Sequence, residues 1–246
     1  MNDPTAARAA LPFALLAALA NVLGAAAVAV RSRWSVRSLE TMIALSAGFM
    51  IAVALTDVLP EAIARGGSRA GVIATLGFLL VHLTQHTFAR HFHFGEETHH
   101  VTKVVSASAL IGLLLHTFVD GVAIASGFAA DARLGLLLSS AILLHKLPEG
   151  LAISSLFLAA GASRRRALLA AAALGGATIV GVALTDGVPA LTTHGLALSA
   201  GVTLYVAAAN LVPEVQGKPG WRLSGAFFFG SGLYFAGRAL LGRYHG

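Results

Sequence analysis

Four residues in the middle of this chain have the types and spacing to hold a metal ion: His116 with Asp120, and His145 with Glu149. Within each pair the residues are four apart, and on a helix such residues lie on one face about a turn apart. Each pair therefore presents an imidazole and a carboxylate to one point. Two such faces meeting would make an N2O2 cage that suits zinc and also admits iron, manganese, cadmium or cobalt. The chain has no cysteine, so disulfides and thiolate sites are excluded and His, Asp and Glu are the strong ligands available.

The elements that must position these residues belong to a membrane. Of 246 residues, 57% are hydrophobic and 11% charged, against roughly 25% charged in a soluble domain. Apolar runs long enough to cross a bilayer as helices are predicted near 10–30, 39–61, 70–90, 104–129, 134–160, 167–187, 192–215 and 223–243. The first is read as a span rather than a cleaved leader, because the dozen residues before and within it lack a charged n-region and a cleavage site. The expectation is an all-α polytopic membrane protein of eight transmembrane helices forming one transporter domain over 1–246. The net charge of +6 does not point to nucleic acid, because the basic residues sit in short clusters between apolar runs. Ten of the seventeen, among them Arg31, Arg33, Arg37 and Arg164 to Arg166, flank the connections after the odd-numbered spans. The positive-inside rule puts those connections in the cytoplasm and both termini outside, in a cell (inner) membrane.

The spans repeat. Residues 44–62, ALSAGFMIAVALTDVLPEA, align without gaps on 197–215, ALSAGVTLYVAAANLVPEV, with nine of nineteen positions identical. HTFVDGVAIASGF at 116–128 likewise aligns on HKLPEGLAISSLF at 145–157. Each pair lies on spans of opposite direction, which makes it an inverted repeat and suggests a 3+2+3 arrangement with substrate near the membrane midplane. Two carboxylates inside the membrane need a cation or protons beside them, because burying charge in hydrocarbon is costly. A lone intramembrane His or Asp often only ties helices together, but a repeated His-x-x-x-carboxylate pair points to function. Pro148, just before Glu149, should free a backbone carbonyl and bend its helix.

In HTFVDGVAI and HKLPEG, and in the PE-ended segments of spans two and seven, the chain resembles the ZIP (Zrt/Irt-like) family of divalent metal transporters over nearly its whole length. The resemblance implies His116, Asp120, His145 and Glu149 as transport-site ligands, metal moving toward the cytoplasm, no prosthetic group, and a fold compatible with a homodimer. The sequence departs from the family's binuclear sites: Thr117 and Lys146 follow the two histidines, and span six offers Ala177 or Thr178 where binuclear members carry a glutamate. One metal is therefore expected, with the Lys146 ammonium near Glu149 and Asp120 in place of the second.

Asp57 in span two is a transport-path candidate, and Asn210 occupies its matching place in span seven. His91, His93, His99 and His100, in the loop 91–100, could receive ions leaving the pore or sense their level. Ligand protonation competes with metal, so uptake should weaken in acid. The competing function is a membrane-embedded zinc-dependent hydrolase, with the same residues holding a catalytic ion. It is disfavoured because matched ligands on both halves serve alternating access better than one-sided chemistry.

Overall fold

In the computed structural model, residues 4–30, 36–88, 103–216, 218 and 221–243 are described; His91, His93, His99 and His100 lie outside them. The described residues form helices and no strands. The order is α1 (Pro4–Val30), α2 (Val36–Val53), a π-helical turn (Ala54–Val58), α3 (Leu59–Gly66), α4 (Ser68–Phe88), α5 (Lys103–Ala130) and α6 (Ala132–Ala159). There follow α7 (Arg164–Gly187), α8 (Pro189–Tyr205), a second π-helical stretch (Val206–Leu211), the short α9 (Pro213–Gln216) and α10 (Trp221–Arg243).

Among the described residues, six helical stretches are long and apolar enough to cross a membrane: 8–28, 40–66, 109–130, 132–159, 164–185 and 193–211. Two expected spans fall outside that set. The third coincides with α4, a helix of 21 residues that is apolar over Ser68–Thr84. The eighth coincides with α10, which carries Arg222, Arg238 and Arg243.

The connections are tight where the sequence offers turn residues. Asp131 caps α6, its carboxylate accepting from the backbone N–H groups of Arg133 and Leu134 at 2.8 and 3.2 Å. Gly161, at φ 76°, turns the chain between α6 and α7, a conformation that costs glycine nothing.

The helices sort into two packed groups: α1 with α5, α6 and α7, and the pairs α2–α10 and α4–α8, which α3 and the π-helical turns join to one another; α5 against α8 and α2 against α6 connect the groups. Glycines set the closest crossings. A β-carbon at Gly150 would meet Asn21 O of α1, and one at Gly121 would meet Thr178 O of α7, both closer than 3.0 Å. Likewise Gly48 of α2 lies against Phe227 O of α10, and Gly201 of α8 against Ala74 O of α4. Gly48 and Gly201 are equivalent in one sequence repeat, Gly121 and Gly150 in the other. Small residues let helix backbones approach in lipid, where packing rather than the hydrophobic effect drives association.

The two π-helical turns also fall at equivalent places in the repeat, one holding Asp57 and the other Asn210. Such turns interrupt an α-helix and concentrate at functional sites.

Candidate metal centre

Helices α5 and α6 pack along their length, and their facing sides bring together all four residues singled out by spacing. His116, Asp120, His145 and Glu149 are each at most 5% exposed, and one ligand atom from each lies within 4.8 Å of all the others. Asp120 Oδ2 is the meeting point, 3.4 Å from His116 Nε2 and 3.3 Å from His145 Nε2. Zinc bonds of about 2.0–2.1 Å in a tetrahedron set neighbouring ligand atoms about 3.3–3.4 Å apart, so this edge of the cage is already at metal spacing. The Glu149 corner is wider, with Oε2 4.0 Å from His145 Nε2.

His145 Nδ1 lies 3.1 Å from Ala141 O, a carbonyl that only accepts, so Nδ1 carries a hydrogen there, and the other ring nitrogen, Nε2, faces Asp120 Oδ2 at 3.3 Å. Glu149 Oε1 and His116 Nδ1 are buried with no hydrogen-bond partner among the described residues.

Lys146 supplies a fixed cation. Fully buried, its Nζ lies 2.6 Å from Asp120 Oδ2 and 2.7 Å from Glu149 Oε2. Thr117, also fully buried, spends its hydroxyl on Leu114 O at 3.1 Å. Ala177 and Thr178 lie on α7, where Thr178 donates to Leu174 O at 3.4 Å.

Pro148 lies inside a continuous α6, so the Leu144 carbonyl, which would accept from residue 148, loses its helical donor. The Ser46 hydroxyl of α2 stands 2.9 Å from it and 2.8 Å from Met42 O, sharing one proton between them. Spacing does not single out Ser46; its place in the ALSAG repeat was the available signal.

A cavity of about 30 Å³ adjoins the cluster, lined by Ile43, Ser46, Leu113, His116, His145 and Glu149 among others. Asp57 is elsewhere. It accepts from Tyr234 Oη at 2.6 Å and Arg238 Nε at 3.1 Å, and with Glu61, Asp131 and Arg133 it lines a second cavity of about 140 Å³. Sequence reasoning missed Tyr234 and Arg238, because nothing in their spacing tied α10 to α2. Met50, Val53, Leu138 and Ala141 are buried together in one apolar cluster, alongside Leu137 of the second cavity's wall.

Two imidazoles and two carboxylates buried together among apolar helices long enough to cross a membrane define a candidate metal centre of a membrane protein. Residues 85–236, more than half of the chain, match the family described as ZIP zinc transporter, and the chain belongs to that family. Zinc transporter ZIP9-A of Xenopus laevis is 30% identical over 160 residues, covering 60% of this chain and 53% of that protein. Zinc transporter ZIP9 of Micropogonias undulatus is 31% identical over 160 residues, 60% and 52% of the two chains. Human zinc transporter ZIP4 is 38% identical over 108 residues, 43% of this chain and 17% of that one. The alignment thus spans about half the length of the ZIP9 relatives.

Proposed function

We propose that this chain is a single transporter domain moving divalent metal cations, zinc first, into the cytoplasm through one metal site formed by His116, Asp120, His145 and Glu149. The observation that carries the proposal is the convergence of those four buried ligand atoms within 4.8 Å. The names of its relatives support zinc; the donor set also admits iron, manganese, cadmium and cobalt. Metal is cargo here, and the chain acts as a transporter rather than an enzyme.

Eight spans in a 3+2+3 inverted repeat account best for the packing. Equivalent glycines make equivalent crossings in the two halves, and equivalent segments carry the π-helical turns. The basic ends of the helices are assigned to the cytoplasm, in a cell membrane with both termini outside. The small cavity then opens from the site toward the cytoplasm. The larger one, with Asp57, lies on the outer side beyond the buried Leu137 and Leu138, where Asp57 attracts cations toward the path. Rocking of the α5–α6 group against the α2–α8 group would open the outer side and close the inner. The His-rich loop receives ions on release. Exposed apolar side chains on α4 and α10, such as Leu76 and Phe228, suit lipid and are compatible with a homodimer.

Lys146 makes the site mononuclear. Its ammonium neutralises part of the carboxylate charge permanently, leaving net charge for one divalent ion. The test is uptake of radioactive zinc by cells or vesicles containing the intact protein or the His145→Ala, Glu149→Ala double variant at equal membrane abundance. Uptake by the intact protein that disappears in the variant is expected; equal uptake by both would overturn the assignment.

A further inference from the structure

Asn21 is the one side chain between Ala9 and Val30 of α1 that can make hydrogen bonds, and it is fully buried. Both of its amide atoms, Oδ1 and Nδ2, are without a partner among the described residues. Away from water a bare amide is disfavoured, so a buried unpaired amide calls for an explanation. Packing alone supplies none, because an apolar side chain of similar volume would fill the space without leaving polar atoms bare.

Its position points to one. The Asn21 backbone lies so close to Gly150 that a β-carbon there would strike it. Gly150 follows Glu149 directly and shares a face of α6 with Lys146, four residues earlier. These neighbours carry the complementary vacancies. The Lys146 ammonium has three N–H donors and two partners among the described residues, Asp120 and Glu149. Glu149 Oε1 is a buried acceptor with no partner. An amide offers one acceptor, which an ammonium N–H needs, and donors, which a carboxylate oxygen needs.

We propose that Asn21 is a positioning residue of the metal centre: its carboxamide, directly or through one water, bridges the free Lys146 N–H and Glu149 Oε1 when metal is bound. This rests on the reading of Glu149 as a ligand and Lys146 as its fixed counter-ion. Partners behind a metal ligand fix its orientation, and losing one typically costs about 10–100-fold in affinity. The glycine at 150 has a role in this scheme: it admits α1 closely enough for its one amide to reach the polar face of α6.

The experiment is zinc uptake by vesicles containing the full chain with Asn21→Leu, measured as KM and Vmax at matched protein amounts, together with the melting temperature with and without zinc. Leucine removes the unpaired amide, so the metal-free variant should melt no lower than the native chain, whereas its KM for zinc should rise about tenfold or more and its zinc-induced melting shift should shrink. A merely structural Asn21 would move neither KM nor the zinc-induced shift. In a Lys146→Met background the same substitution should raise KM by a smaller factor than in the native chain, since one end of the bridge is already lost. Should Asn21→Leu fail to accumulate, Asn21→Ala gives the same readout. An unchanged KM and zinc shift, while Glu149→Ala abolishes uptake, would overturn the role of Asn21 alone; uptake that survives Glu149→Ala would overturn the transport site beneath it.

Discussion

Replacing Lys146 by methionine removes the fixed cation and keeps an unbranched side chain only one atom shorter. The native ammonium sits 2.6 Å from Asp120 Oδ2 and 2.7 Å from Glu149 Oε2 with no exposure to solvent, so the substitution leaves two buried carboxylates uncompensated. Removing one partner of a buried ion pair costs about 3–5 kcal/mol, which for a chain of this size corresponds to a melting temperature lower by roughly 6–20 °C. The loss should be recoverable. A second divalent ion can occupy the place of the ammonium, and at a concentration of about 100 Kd it would return about 2.7 kcal/mol. The assay is thermal unfolding of the purified protein in detergent, with chelator or with zinc, beside metal stoichiometry in a background where His91, His93, His99 and His100 are alanine. One tightly bound equivalent is expected for native Lys146 and two for methionine. A chelated variant that melts with the native protein would refute the charge argument, and two equivalents bound with Lys146 intact would refute the mononuclear site.

Adding a methyl group at Gly121 or Gly150 places it closer than 3.0 Å to Thr178 O or Asn21 O; each Gly→Ala change should destabilise by about 1–3 kcal/mol, read as a lower melting temperature, and an unchanged melting temperature would show that the helices part freely. Ser46→Ala strips the donor from the Leu144 carbonyl freed by Pro148 and should cost about 1 kcal/mol with zinc stoichiometry unchanged, checked by the same unfolding and metal titration. Asp57→Asn keeps an acceptor for Tyr234 but removes a charge from the larger cavity, so uptake at low zinc should fall about tenfold at low ionic strength, with the deficit shrinking as salt screens the site. A deficit independent of salt would place Asp57 in the scaffold through Tyr234 and Arg238 rather than in the path.

Much of the site was legible because it depends on local spacing. His116 with Asp120, and His145 with Glu149, share helix faces whatever the rest of the chain does, and composition alone puts those helices in a membrane. The sequence repeat was equally visible, since it is an identity between two stretches of one chain. Spacing cannot say which faces of distant helices meet. That is decided by backbone-to-backbone crossings at glycines such as Gly121 and Gly150, contacts between segments far apart in sequence. The tertiary structure therefore decided that the two pairs converge on Asp120 Oδ2, that Lys146 turns inward to both carboxylates, and that Ser46 takes up the carbonyl released by Pro148. It also placed Asp57 against Tyr234 and Arg238, away from the cluster, on a π-helical turn that no apolar periodicity announces. A period of 3.6 residues marks which side of a helix is apolar. Where that helix loosens, and what it touches there, depends on neighbours the local pattern does not contain.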